Sequence, residues 1–206
     1  LEAKMHIVVV GAGNVGLFYA RKWLATGHTV TLTYSRDDTA LAHRAEEIGA
    51  QSAPMAEAIA SADAVLLSVP FERVEDAVAQ GGEWGDKLVI DTTNPFNPDR
   101  SGVVELPEGE TSFSRIAALL PGVTLVKAFH NLGVAQVEDP EAAPVIFVVG
   151  TDAGARTTVS GLVSDADLVP VESGDLAAVA LTEAPGRLFT ALLDADQARS
   201  ALDAPQ

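Results

Sequence analysis

Short apolar runs alternate with amphipathic stretches along nearly the whole chain. His6-Ile7-Val8-Val9-Val10 predicts a first strand, and residues 17–25 a helix. Thr29-Val30-Thr31-Leu32-Thr33 predicts a second strand, followed by an Ala- and Glu-rich helix over residues 38–48. A short strand near Ala50-Gln51-Ser52 and a helix over residues 54–60 come next. Ala64-Val65-Leu66-Leu67-Ser68-Val69 is continuously apolar, the pattern of a parallel strand covered on both faces. Residues 71–80 read as a helix with Phe71, Val74 and Val78 on one face, and Lys87-Leu88-Val89-Ile90 as the next strand.

The second half keeps this rhythm. A helix over residues 113–120 turns through Pro121-Gly122 into the strand Val123-Thr124-Leu125-Val126-Lys127-Ala128-Phe129. Val145-Ile146-Phe147-Val148-Val149 is another strand, stopping at Gly150. A helix over residues 152–163, the run Leu168-Val169-Pro170-Val171 and a largely helical tail from Leu176 complete the chain. Alternation of this kind implies an α/β fold: a doubly wound parallel sheet with right-handed crossovers, Rossmann-type, extended by C-terminal strands and a helix. One domain is expected over residues 5–201, with residues 123–201 as its extension. Leu1-Glu2-Ala3-Lys4, ahead of Met5, reads as a remnant outside the fold. Residues 95–109 form the longest irregular stretch, a flap over a site or a surface loop.

The first strand flows into Gly11-Ala12-Gly13-Asn14-Val15-Gly16, so a GxGxxG turn joins a strand to a helix. The first glycine permits the tight turn, the second lets backbone approach a pyrophosphate, and the third lets the helix pack on the strand. That context points to dinucleotide binding. After the second strand, NAD-preferring sites place an acid for the ribose hydroxyls. Here Tyr34-Ser35-Arg36 occupies that place, and acids arrive at Asp37 and Asp38. A hydroxyl and a guanidinium suit a 2′-phosphate, hence NADP; the alternative is a polar loop capping the next helix. Two further loops leave the sheet edge where ligands bind: Ser68-Val69-Pro70-Phe71 and Thr92-Thr93-Asn94-Pro95-Phe96. Pro70 and Pro95 stiffen them, and Asn94 could bond a ribose or a carboxamide.

Composition narrows the classes. At 206 residues, 48% hydrophobic, with 17 glycines and 11 prolines, the chain is globular. No apolar run approaches the ~20 residues of a membrane span. The absence of cysteine fits a cytoplasm and excludes thiolate chemistry. A net charge of -16 argues against nucleic acid or an anionic membrane surface as partner, so any phosphate site must be built locally. Of the four histidines, His6 reads as structural, His28 and His43 as solvated, and His130 as a site residue because it leaves a strand at the ligand edge. No spacing resembles a metal site, and Glu46-Glu47 and Asp37-Asp38 read as solvated helix faces.

The succession GAGNVG, SRD, SVPFERVEDAV, DTTNPF, LPGVTLVKAFHNLG, FVVG and VPVESGDLAAVALTE resembles the coenzyme F420-dependent NADP oxidoreductase family, over about residues 5–195. Membrane ferric reductases carry a related domain that binds NADPH and a flavin. The resemblance implies hydride transfer between NADPH and a 5-deazaflavin stacked face to face, with no catalytic triad. It implies that Gly11, Ala12, Gly13, Asn14, Val15 and Gly16 form the phosphate turn and that Ser35 and Arg36 take the 2′-phosphate. Ser68, Val69 and Pro70 would border the ribose. Asn94, Pro95, His130 and Asn131 would lie near the nicotinamide and the second ring. It also suggests that the tail, with Leu181, Leu188, Phe189, Leu192 and Leu193, completes a homodimer interface and the second-cofactor pocket besides packing on the sheet.

Three functions fit. The first is an F420-dependent NADP reductase. The second is an NADPH-dependent reductase of a flavin, quinone, or small carbonyl or imine. The third is a non-catalytic NADP-binding sensor. Cations in the second half that could meet an anionic deazaflavin tail are Arg115, Lys127, Arg156, Arg187 and Arg199.

Overall fold

The structure, a computed structural model, describes residues 4–35, 37–138 and 144–204. Among the described residues, eight strands form one sheet in the order β3-β2-β1-β4-β5-β6-β7-β8. They are β1 (His6–Val10), β2 (Thr29–Thr33), β3 (Gln51–Ser52), β4 (Ala64–Leu67), β5 (Leu88–Asp91), β6 (Thr124–Lys127), β7 (Val145–Val149) and β8 (Val169–Ser173). The helices are α1 (Asn14–Ala25), α2 (Asp38–Ile48), α3 (Met55–Ser61), α4 (Val74–Gln80), α5 (Ser112–Leu119), α6 (Val134–Val137), α7 (Ala153–Ser164), α8 (Ala177–Thr182) and α9 (Ala195–Asp203). A 3₁₀ turn, Phe71–Arg73, precedes α4. Helices and strands thus follow the pattern read from the hydrophobic periodicity, and the fold is Rossmann-type α/β.

Consecutive residues of the central strands feed opposite faces, which is why their sequences show no polar alternation. Ile7, Val9 and Leu66 pack with Tyr19 and Trp23 of α1 and with Val159 and Leu162 of α7. Val8, Val10, Val65 and Leu67 pack with Ile59 of α3, Val74 of α4 and Ile116 of α5. Trp23 Nε1 donates to the Leu162 carbonyl at 2.9 Å, joining two helices of one layer.

One expectation of the sheet is corrected. β1 to β6 are parallel, but β7 meets β6 antiparallel through the single pair Lys127↔Val149, and β8 runs parallel to β7. A parallel return needs a crossover along a sheet face. Here β7 instead lies beside the continuation of β6, where Asn131 Nδ2 donates to the Val145 carbonyl at 3.0 Å and Asn131 Oδ1 accepts from Phe147 N–H at 3.3 Å.

The tail is less helical than its composition suggests, since residues 183–194 link α8 to α9 without a helix. It packs on the reversed strands: Phe147 and Val171 meet Val179, Leu188 and Ala198. His28 is also corrected. It is buried, accepting from Met5 N–H at 3.2 Å through Nδ1 and meeting Asp165 Oδ2 at 2.7 Å through Nε2, so it joins the α1–β2 turn to the end of α7. His6 is structural, with Nε2 2.9 Å from Thr31 Oγ1, and His43 is exposed.

Candidate functional site

A cleft of about 740 Å³ opens at the C-terminal ends of β1, β4, β5 and β6. Hydrogen bonds between strands continue past the strand ends and fix the loops that form it. Gly11 N–H donates to Thr33 O at 3.0 Å, Ser68 N–H to Val10 O at 2.9 Å, Thr92 N–H to Leu67 O at 3.2 Å and Ala128 N–H to Asp91 O at 3.1 Å.

At one end lies the glycine turn. Gly11 has φ 104, and a Cβ there would collide with the Ser68 carbonyl. A Cβ on Gly16 would strike the Gly11 carbonyl, so this position lets α1 sit on the turn. Gly13 differs: a Cβ there would meet nothing within 4 Å, yet the residue lines the cleft. Its lack of a side chain keeps open a surface that the fold itself leaves unfilled. Gly13 caps α1 without a side-chain bond, and the first turn holds no acid. The free amide hydrogens and the positive end of the helix dipole therefore face the cleft, as an anion site requires. Asn14 and Val15 line it beside them.

Ser68, Val69 and Pro70 border the middle of the cleft, and Asn94 and His130 its far end. Asn94 is the joint of that end: Nδ2 donates to the His130 carbonyl at 2.8 Å and Oδ1 accepts from Ala184 N–H at 2.9 Å. Phe129, with φ 61, kinks the chain out of β6 and is held by Tyr19 at a ring distance of 4.2 Å. His130 Nε2 lies 2.9 Å from Thr182 Oγ1, whose own proton goes to the Ala178 carbonyl at 2.9 Å. The hydroxyl must then accept, so the imidazole carries its proton on Nε2 and presents a bare lone pair on Nδ1. That Nδ1 and the hydroxyl of Thr93 are buried without partners, on two residues that line the cleft. Burial, aided by the Lys127 charge, holds His130 well below the ordinary histidine value, so the ring is neutral.

Several sequence expectations land elsewhere. Asn131 is wholly buried and spends its amide on β7, replacing ladder bonds beside the kinked chain; it does not reach the cleft. Pro95 is buried and absent from the lining, although its carbonyl accepts from Val104 N–H. Ser35 borders a separate hollow of about 330 Å³, with Tyr34 and Asp38. Its hydroxyl donates to the Asp37 carbonyl at 3.0 Å and accepts from Asp37 N–H at 3.1 Å, while Asp37 caps α2 through Ala40 N–H. Arg36 lies outside the described residues. A nearby cation that sequence reasoning missed is Arg44, on α2, whose Nη1 donates to the Ala12 carbonyl at 3.1 Å. Leu132, Gly133, Val134, Ala135, Phe96, Arg100 and Phe189 also line the cleft; Phe96, Leu132 and Gly133 stood within motifs read from the sequence and Phe189 in the tail, whereas Val134, Ala135 and Arg100 did not.

Among the described residues no three His, Asp or Glu side chains are grouped to hold a metal, and no helix is long and apolar enough to cross a membrane.

Residues 6–95 match the family described as NADP oxidoreductase, coenzyme F420-dependent. The chain is similar to a hypothetical protein of Sinorhizobium meliloti, at 25% identity over 93% of this chain and 95% of that one, with a TM-score of 0.81. A candidate F420-dependent NADP reductase from Arthrobacter sp. FB24 is 23% identical, with 84% and 86% covered and a TM-score of 0.74. A reductive aminase from Aspergillus terreus, solved with NADPH4, cyclohexanone and allyl amine, is 23% identical, with 88% of this chain and 59% of that one covered and a TM-score of 0.64.

Proposed function

We propose, from the place of residues 6–95 in the coenzyme F420-dependent NADP oxidoreductase family, that the protein transfers a hydride between NADP(H) and a 5-deazaflavin or closely similar acceptor. The observation that carries the proposal is the open Gly13 turn at the unacidified N-terminus of α1, leading without a break to Asn94 and His130.

The pyrophosphate would rest on the amide hydrogens at Gly13 to Val15, where no carboxylate of the first helical turn opposes it. Ser68 to Pro70 would flank the ribose. The unpartnered His130 Nδ1 and Thr93 hydroxyl suit a primary carboxamide, which offers both a donor and an acceptor. Preference for the 2′-phosphate would rest on Arg36, with Arg44 beside the turn as a second cation.

Bound there, the nucleotide would supply a hydride, and solvent would supply the proton that balances reduction of the acceptor. The protein's work is alignment and exclusion of water, which is where most of the rate of such a transfer comes from. Neutral His130 holds its one ring proton on Thr182, so it orients and does not deliver a proton.

The test is anaerobic mixing of protein, NADPH and coenzyme F420, with FMN as a parallel acceptor. Stoichiometric bleaching of the deazaflavin is expected. NADPH binding with the deazaflavin left oxidised would overturn the proposal, and bleaching of FMN alone would make the protein a flavin reductase.

A further inference from the structure

A single side chain divides the surface on which a dinucleotide would lie. On this fold such a ligand crosses the C-terminal ends of the strands with its pyrophosphate at the glycine turn. One half then occupies the large cleft. The other half must run past the end of β2, where the hollow of about 330 Å³ opens among Thr33, Tyr34, Ala53, Met55 and Gln80. Among the described residues the two cavities share no lining side chain.

The course of α4 shows what stands between them. Phe71 and Glu72, on the 3₁₀ turn leading into α4, line the cleft, whereas Gln80, at the other end of α4, lines the hollow. Asp76 lies between these positions and lines neither cavity. Tyr34, the residue after β2, reaches α4 at that point. Its hydroxyl donates to Asp76 Oδ2 at 2.6 Å, and Gln80 Nε2 donates to the same oxygen at 3.0 Å. In the sheet β1 lies between β2 and β4, the strand that leads into α4, so the bridge spans the width of β1. Gly11 N–H, bonded to the Thr33 carbonyl, sets the glycine turn directly beside it.

Two features suit this contact to opening. Tyr34 has φ 62, a left-handed conformation that is costly for a residue with a Cβ, so the closed position is held against backbone strain. Asp76 is exposed, and the bonds from Tyr34 and Gln80 hold its carboxyl below the usual range. When the hydroxyl leaves, water and Gln80 still satisfy that carboxylate, so release costs only the modest net worth of an exposed hydrogen bond.

We infer that the Tyr34–Asp76 contact is a latch across one continuous nucleotide groove, and that seating the adenosine half of the ligand opens it. Tyr34 is then a specificity-determining residue. A ligand without an adenosine half fits the cleft with the latch shut, whereas a dinucleotide binds only with it open. The affinity of the dinucleotide is lowered in proportion to the molecules whose latch is closed. The inference rests on the reading of the cleft as a nucleotide site and adds a conformational step to it.

The chain contains two tyrosines and Tyr19 is buried, so protein carrying 3-fluorotyrosine gives two fluorine resonances, which Tyr34→Phe assigns. Saturating NADP+, or 2′,5′-ADP as the adenosine half alone, should move the Tyr34 resonance. Tyr34→Phe keeps the ring and removes the hydroxyl. It should bind both ligands about fivefold more tightly in calorimetric titrations, the worth of one exposed hydrogen bond. Asp76→Ala, at an exposed position of α4, should reproduce the gain. A bond that served the fold alone would lower the melting temperature and bring no gain in affinity. A Tyr34 resonance unmoved by bound ligand, or an affinity unchanged or lower in either variant, would overturn the latch. Absence of binding by the wild type and by both variants would overturn the nucleotide reading, and the latch with it.

Discussion

Asp91 and Lys127 face each other in the register of β5 and β6, and Lys127 Nζ donates to Asp91 Oδ2 at 2.8 Å with both side chains wholly buried. The ammonium also donates to the Thr93 carbonyl at 2.8 Å and the Ser112 hydroxyl at 2.7 Å, and lies 3.2 Å from Glu183. Ser112 in turn donates to Glu183 through its N–H and its hydroxyl. One charge thus ties the loop after β5, the start of α5 and the end of α8 together behind the cleft. The next residues complete the tie, since Thr182 holds His130 and Ala184 holds Asn94.

Lys127→Met should therefore be severely destabilising. It leaves two carboxylates buried without their cation, a loss of about 3–5 kcal/mol. Urea denaturation of the variant checks this. A loss below about 1 kcal/mol would mean that water or rearrangement reaches the cluster.

Gly13→Asp should move stability and binding in opposite directions. A carboxylate at the N-cap of α1 accepts from the first amide hydrogens and complements the dipole, stabilising by about 0.5–1 kcal/mol. The same carboxylate occupies and repels the proposed phosphate position, so NADPH affinity should fall by more than about tenfold. Thermal melts and fluorescence titration on one preparation separate the two. Stability and affinity falling together would assign Gly13 to the fold rather than to the ligand.

Arg36→Ala should weaken NADPH by about 1–3 kcal/mol and NADH much less, because only the former carries the 2′-phosphate. Paired titrations decide it, and equal losses would remove the basis for NADP preference. Arg44→Ala offers a second reading of the same pocket.

Acid should destabilise the protein through His130. The folded state holds this ring neutral, with its pKa depressed below the ordinary 6.5. The unfolded chain takes up a proton near that value and the folded one does not. The stabilising contribution is present above pH 6.5 and is lost as pH falls below it, by at most about 1.4 kcal/mol per pH unit. His130→Asn should flatten that slope between pH 6.5 and 5 in denaturant titrations. An unchanged slope would place the titration on another group.

The sequence made the central sheet readable because strands buried on both faces are apolar without alternation, as at Ile7 to Val10 and Ala64 to Leu67. The glycine turn was equally clear, since each glycine answers a local steric demand. Reversal of β7 was not readable, because direction depends on where Asn131 and the kink at Phe129 lead the chain, and neither changes hydrophobic periodicity. Ser35 and Asn131 share a different difficulty: a polar side chain at the right register is equally able to bond its own backbone. Arg100 reaches the cleft from a hairpin tip, so its position depends on tertiary packing alone.

The most direct test of the central claim is a single turnover under anaerobic conditions with NADPH carrying deuterium at both C4 positions of the nicotinamide and coenzyme F420 as acceptor. The account predicts one equivalent of reduced deazaflavin that retains the deuterium at C5. Reduction with loss of the label to solvent, or NADPH bound and unreacted, would contradict it.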